Sequence, residues 1–295
     1  MVSSRILERL VQRVESATAL DRPADAAVGL AGKVIKPGVV EDALSGTPLG
    51  HPAHPVLVTL PIGAWTTGLM LDATGADDRA ASAAVGLGIL TALPTALTGV
   101  SDWTTTTGAE RRVGLVHALS VDLALGLQTA SWFARRRGKR GRGVALSATA
   151  MALTAVGGWL GGHLAYAMGV GVDTTAFQQL PGEWLDVAAE ADVPADTALE
   201  VDADGVPVLL ARVEGEVVAL ADRCTHRGAP LHEGVVENGC VTCPWHDSVF
   251  ALRDGAVVSG PATRPQPALE VALEAGRVRV RRSEVRTLRT NPTGR

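Results

Sequence analysis

The chain has 295 residues, of which 46% are hydrophobic, 20% charged and 3% aromatic, with a mean hydropathy of +0.19; this is room for two domains, with an apolar content of small residues suited to close helix packing in lipid. The formal net charge of −4 excludes nucleic acid as the main partner, since domains that bind it carry a basic excess. The 3 cysteines, Cys224, Cys240 and Cys243, are an odd, clustered set that points to a metal site and excludes a disulfide-stapled fold.

Residues 1–50 come first. Arg5, Glu8, Arg9, Arg13 and Glu15 break up the apolar positions, so no cleavable signal is predicted. Ile6, Leu10, Val11 and Val14 recur at helical spacing. They predict an amphipathic helix lying on the membrane surface or on a helical bundle. Residues 21–50 read as a connector punctuated by Pro and Gly.

Residues 51–173 hold four long apolar runs. The stretches 55–71, 80–100 and 143–172 carry no charge, and 113–134 carries only Asp122. A bilayer core needs about 20 apolar helical residues, so each run can span it. The first run is the weakest and borrows uncharged residues upstream of Pro55. A buried soluble bundle is the alternative. The stretch ARRRGKRGRG at 134–143 places a basic loop between the third and fourth spans, and basic loops stay in the cytoplasm.

Four antiparallel spans bring His51, His54, His117 and His163 to one face, with Asp102 and Trp103. Ionisable groups in a membrane are costly and are functional candidates. Three readings stay open for these histidines. His117 and His163 could be axial ligands of a haem b; His51 and His54 could complete a metal site or bind a quinone oxygen; or all four cap helices near the interface. Asp122, about 140° around the helix from His117, falls outside that group.

From residue 174 the pattern changes. After a linker at 174–183, short period-2 runs follow (ALEVDADG, VPVLLARVEG, EVVALAD, VFALRDG, AVVSG, LEVALEAG, RVRVRR). Turn signals at Asp204-Gly205, Glu214-Gly215, Asp254-Gly255 and Ala275-Gly276 separate them. They predict a small antiparallel all-β domain over 184–283, followed by a disordered tail at 284–295.

Inside this β-domain stand CTHRGAPL at 224–231 and CPWH at 243–246. Two Cys and two His in paired short loops can hold two metals in one cluster, or a single zinc. With Gly228, Pro230, Pro244 and Trp245 in place, and SGPA at 259–262 as a third loop, the pattern resembles the Rieske [2Fe–2S] family. The resemblance implies a [2Fe–2S] cluster with Cys224 and Cys243 on one iron and His226 and His246 on the other. Ser248 and Pro261 would stand around the cluster. Imidazole in place of thiolate raises the reduction potential. Three departures from the high-potential members matter: Ala229 and Trp245 replace a cysteine pair, Phe250 replaces a Tyr, and Asp247 replaces a common Gly. Losing a donor to sulfur and adding a negative charge both lower the potential, toward the lower part of the window of roughly −150 to +300 mV. Cys240 reads as a buried core residue, and His232 as a surface or supporting one.

The stretches LSGTPLGHPAHPVLVTLPIGAW, RRVGLVHA and GGWLGGHLAYAMGVGVD resemble an uncharacterised bacterial four-helix membrane domain family, found alone or fused to a Rieske domain, mostly in actinobacteria. This resemblance covers 46–173 and implies architecture alone. The expected whole is multidomain: an N-terminal all-α four-helix transmembrane bundle plus a C-terminal all-β Rieske-type domain, multi-pass in the cell membrane. The basic loop would put the β-domain outside the cell. Assembly of such clusters in the cytosol argues for the opposite side, so the side stays open. The expected function is one-electron transfer from a membrane donor, quinol or haem, to a redox-protein partner. The alternatives are a ferredoxin-like component feeding an oxygenase and a non-catalytic redox sensor. The residues after the cluster motif contain no His, so the two-His-one-carboxylate iron of a terminal oxygenase is not expected in this segment.

Overall fold

The computed structural model describes residues 2–75 and 77–283; the expected disordered tail at 284–295 lies outside the described residues. Two compact units divide the chain. One comprises Met1–Lys36 and Ala43–Gly171, the other Pro37–Asp42 and Val172–Arg295.

The first unit is helical: α1 (Val2–Glu15), α2 (Asp21–Ala31), α3 (Val39–Ser45, reaching into the second unit), α4 (His54–Leu57), α5 (Thr59–Ala73), α6 (Asp78–Thr104), α7 (Gly108–Arg136) and α8 (Arg140–Tyr166). The stretch read as a connector thus holds two helices. The sequence DRPADAAVGLA of α2 is rich in good helix formers, its Pro lies in the first turn, where a missing N–H costs least, and its leading Asp21 suits the helix dipole. On α1, Val11 is buried with Val113 and Leu160, while Ile6 and Leu10 stay exposed. That helix packs on the bundle.

Among the described residues, four helical stretches are long and apolar enough to cross a membrane: His54–Ala73, Asp78–Thr104, Gly108–Arg136 and Arg140–Tyr166. The first starts at His54, upstream of Pro55 as expected. The fourth stops at Tyr166, short of the expected 172, because Gly169 and Gly171 take left-handed φ values. The packing is inside-out relative to a soluble bundle. On α6 the buried positions are Ala81, Val85, Gly88, Ala92, Thr95, Thr98 and Ser101, while Leu87, Leu90, Leu93 and Leu97 are exposed. On α8 the buried line is Gly143, Ser147, Ala150, Thr154, Gly157 and Leu160. Small residues let the backbones approach, and the leucines face outward, as lipid requires and water forbids.

Glycine notches hold the larger rings. A Cβ on Gly88 would lie 2.2 Å from Trp65 Nε1, and one on Gly114 would lie 2.4 Å from Trp103 Cδ1. Arg135, counted with the basic loop in the sequence, is instead the end of a buried ion pair. Its side chain is 0% exposed and that of Asp72 is 3%; it also meets Asp78 at 2.9 Å and Ser131 Oγ at 3.3 Å.

The second unit carries β1 (Leu185–Ala189), β2 (Leu199–Asp202), β3 (Pro207–Val213), β4 (Glu216–Ala221), β5 (Val235–Glu237), β6 (Cys240–Thr242), β7 (Val249–Ala251), β8 (Val257–Ser259), β9 (Ala268–Glu274) and β10 (Arg277–Arg282). A six-stranded antiparallel sheet runs β1-β10-β9-β4-β3-β2, and a four-stranded one β5-β6-β7-β8. Strand β3 lies in the middle of two apolar clusters. Its Leu209, Ala211 and Val213 join the cluster that contains Cys224, Cys243 and Phe250, and its Val208 and Leu210 join the other. Alternation sends successive side chains to opposite faces, which explains the unbroken apolar run VPVLLA. Strands β1, β5 and β6 were not anticipated. The last two are three residues each, joined by Asn238-Gly239 with both φ values positive, a tight hairpin turn.

Candidate metal centre

Three loops at one end of the β-unit frame the site. The first, 224–231, leaves β4 and is closed by the Arg223–Pro230 bridge. The second, 243–248, joins β6 to β7, and the third, 259–262, follows β8. In the first loop Gly228 N donates to Cys224 O at 2.8 Å and Cys224 N to Ala229 O at 2.9 Å. In the second, Asp247 N donates to Cys243 O at 3.2 Å and Cys243 N to Ser248 O at 2.8 Å.

These turns bring the four expected ligand side chains together. Cys224 and Cys243 are buried and free of disulfides, and their thiols are hydrogen-bonded to each other. The His226 and His246 rings stand edge to face with centroids 5.1 Å apart. Backbone amides of His226 and Arg227 reach the Cys224 sulfur, and those of Trp245 and His246 reach the Cys243 sulfur. The hydrogen bond from Cys224 pulls the Cys243 thiol down to about 7 against the effect of burial, while the same contact and burial push Cys224 up. Burial, then the charges of His246 and Arg227, hold His226 down at about 3, and burial followed by Arg227 lowers His246. Both imidazoles are therefore neutral at ordinary pH, the state a metal requires.

The donor set fits a two-iron group. Nδ1 of His226 and Nδ1 of His246 are both buried without a hydrogen-bond partner. An orphaned buried nitrogen is costly unless something coordinates it. Two such lone pairs beside two buried thiols, served by four amide N–H groups, match a half-thiolate, half-imidazole cluster. Residues 183–278 match the model of the Rieske [2Fe–2S] domain. Over 98 residues, 33% of this chain and 91% of the relative, the sequence is 34% identical to the anthranilate 1,2-dioxygenase ferredoxin subunit of Burkholderia cepacia.

The chain belongs to the Rieske [2Fe–2S] family. A second Rieske relative, the 3-phenylpropionate/cinnamic acid dioxygenase ferredoxin subunit of Escherichia coli (strain K12), is 40% identical over 87 residues, 29% of this chain and 81% of that one. Among solved structures, the ferredoxin of carbazole 1,9a-dioxygenase from Nocardioides aromaticivorans IC177 is 26% identical, with a TM-score of 0.33, covering 35% of this chain and 100% of that one. Residues 50–174 match the predicted membrane protein family DUF2231. The protein is thus a multi-pass membrane protein with a Rieske domain, whose cofactor is a [2Fe–2S] cluster and whose work is iron–sulfur electron transfer.

The supporting residues are only partly the expected ones. Ser248 is buried and its hydroxyl oxygen accepts the Ala262 amide at 3.0 Å, next to Pro261. Gln266, which the sequence did not single out, is a buried hub. Its Nε2 donates to the carbonyls of Ala221 and Arg223 at 2.5 and 2.7 Å, and its Oε1 accepts the Thr225 amide at 3.1 Å. A lone Gln in a Pro-rich stretch carries no sequence signal of such a role. His232 is clasped to Asp222, which takes its Nδ1 at 2.8 Å and its backbone N at 2.7 Å. Cys240 is half-buried in β6, not the buried core residue expected.

The four membrane histidines do not form one cluster of equals. His51 is exposed. His54 Nδ1 faces Thr95 O at 3.0 Å, and His117 Nδ1 faces Gly157 O at 2.8 Å. A carbonyl only accepts, so both rings carry the proton on Nδ1 and keep a lone pair on Nε2. His163 instead pairs through Nε2 with Glu15 Oε1 at 2.9 Å and stacks on Trp159.

Proposed function

We propose that this chain is a membrane-anchored one-electron carrier of the cell membrane, with Cys224 and Cys243 holding one iron and His226 and His246 the other. The observation that carries this reading is the pair of buried, unpartnered Nδ1 atoms beside two buried thiols, in a chain whose described residues also include four helices long and apolar enough to cross a membrane. When bound, the cluster stores one electron at a time. The chain's own residues do the rest. The amides on both cysteines stabilise negative charge on sulfur, Ser248 and Pro261 close the third loop over the site, and Trp245, 56% exposed beside His246, offers an apolar contact for a protein acceptor.

The membrane donor we favour is a quinol. His163 and Glu15 border an open cavity of about 510 Å³, lined also by Thr107, Glu110 and Met168, within the size range of small-molecule sites. A quinol releases two electrons and two protons; two copies of the carrier take the electrons, and imidazole or carboxylate groups can take the protons. A haem held between His117 and His163 is the weaker option, because the Nε2 of His163 is already engaged by Glu15. A second reading is favoured by the names of the relatives, which are dioxygenase ferredoxin subunits: the protein would feed electrons to an oxygenase.

The test is an EPR and optical spectrum of the detergent-purified protein, with iron, sulfide and haem measured. The carrier is expected to hold two irons and two acid-labile sulfides per chain and to be reduced by a quinol analogue. Reduction only by a nicotinamide-driven ferredoxin reductase would favour the oxygenase reading. Zinc alone, or an intact chromophore in Cys224→Ser, would overturn the ligand assignment.

A further inference from the structure

Two short segments adjoin stretches of the helical unit in sequence yet belong to the β-unit: Pro37–Asp42, inserted between Lys36 and Ala43, and residues 172–182, which follow Gly171. Both lie outside residues 183–278, which match the Rieske model. Asp42 Oδ1 accepts the Gly260 amide at 2.6 Å and the Ser259 hydroxyl at 3.2 Å. Those are the first two residues of the third loop, whose Ala262 amide is the one held by Ser248. On the other side, Thr174 donates its hydroxyl to Cys224 O at 2.7 Å and its amide to Thr225 O at 3.1 Å. Asp173 fixes the turn by accepting from both the amide and the hydroxyl of Thr175. Glu41, buried next to Asp42, lies within charge range of Asp247 in the second loop. The segment inserted between Lys36 and Ala43 and the one that follows Gly171 are thus both fastened to the cluster loops.

We propose that Asp42 and Thr174 are positioning residues for the cluster: two segments outside the residues that match the Rieske model form part of the cage, Asp42 by anchoring the third loop and Thr174 by anchoring the backbone of Cys224. This rests on the ligand assignment above. Two consequences follow from the chemistry of each contact. Asp42 brings a carboxylate to the loop that closes the site, and negative charge nearby disfavours the reduced cluster, which carries one more negative charge. Thr174 supplies a neutral hydrogen bond to the carbonyl of a ligand residue, so its loss loosens that residue without changing charge.

The experiment uses the full-length, cluster-loaded protein in detergent. In Asp42→Asn, which keeps an acceptor oxygen, the midpoint potential is expected to rise and the EPR line positions to move. Asp186→Asn, the same charge change at an exposed pair with Arg277 on β1 and β10, is expected to do neither. Asp42→Ala and Thr174→Val are expected to lose the cluster to an iron chelator about tenfold faster, the effect of losing one buried charged or neutral hydrogen bond, and Asp42→Glu to restore part of the wild-type rate. If wild type shows the cluster signal while Asp42→Asn has an unmoved potential and spectrum, and both other variants lose iron at the wild-type rate, the contacts only fasten the tether and the inference is overturned alone. If wild type has no [2Fe–2S] signal, the ligand assignment fails and this inference with it.

Discussion

Gly228 and Asp247 hold equivalent places in the two ligand loops. Each donates its amide to the carbonyl of the cysteine four residues before it, and each has a left-handed backbone, with φ of 78° and 58°. The relation explains why a glycine suits the position that Asp247 fills here, since a side chain there is strained by about 1–2 kcal/mol, less for Asp than for most residues.

Asp247→Gly should therefore do two things at once. Removal of strain is expected to stabilise the Rieske domain by roughly 0.5–1 kcal/mol after the extra entropy of a glycine is counted. Removal of a carboxylate next to His246 is expected to raise the reduction potential. Thermal bleaching of the cluster and a redox titration measure the two. A lower potential in this variant would contradict the electrostatic reading.

Ser248→Ala should move the potential the other way. The Ser248 oxygen is occupied by the Ala262 amide, which leaves its hydroxyl hydrogen to donate toward the site. One hydrogen bond worth ~0.5–1.5 kcal/mol corresponds to roughly 20–65 mV for a one-electron couple. A fall of that size in a redox titration is the expected result. Phe250, fully buried in the apolar cluster, supplies no compensating donor.

His232 gives a pH dependence with a defined sign. Burial works to lower its pKa, but the hydrogen bond and charge of Asp222, with Glu200 and Glu233, outweigh it and raise the group above 6.5. A raised folded pKa means the contribution is complete below pH 6.5 and is lost as pH rises through the folded value. The stability difference between wild type and His232→Gln should thus be largest in mildly acidic buffer and shrink in alkaline buffer. A difference that grows with pH would refute it.

Arg135 and Asp72 form the most deeply enclosed ion pair in the helical unit among the described residues. Arg135→Ala should cost about 3–5 kcal/mol, because it strands a buried carboxylate. Arg135→Met combined with Asp72→Leu should recover much of that loss, since an apolar pair of similar volume avoids desolvation. Melting in detergent, followed by helical circular dichroism or light scattering, compares them. Equal losses for the single and double variants would show that packing, not charge, governs the site.

How far the sequence reached can be traced through individual residues. The turns Glu214-Gly215 and Ala275-Gly276 were readable because both residues of each pair take positive φ, a demand that glycine announces locally. The short strand β5 was not, because three residues hold too little period to detect. The apolar run to residue 172 puts His163 nine residues before the end of the fourth span, with a haem ligand as one reading. It sits three residues from the end of its helix and pairs with Glu15, since the helix stops earlier than the apolar run does.

By itself the sequence determined that four apolar helices precede a β-domain, and that two Cys-and-His loops there could share a metal site. Both follow from short-range facts: run length, periodicity and the spacing of ligands within a few residues. Only the tertiary structure decided that small residues and not leucines face inward, that Arg135 is buried on Asp72, that Gln266 ties the first loop to the sheet, and that Asp42 and Thr174 reach the cluster loops. Each of those is a contact between residues far apart in the chain. No local pattern records such a partner, because a single polar residue reads the same in a sequence whether it meets water or a distant backbone amide.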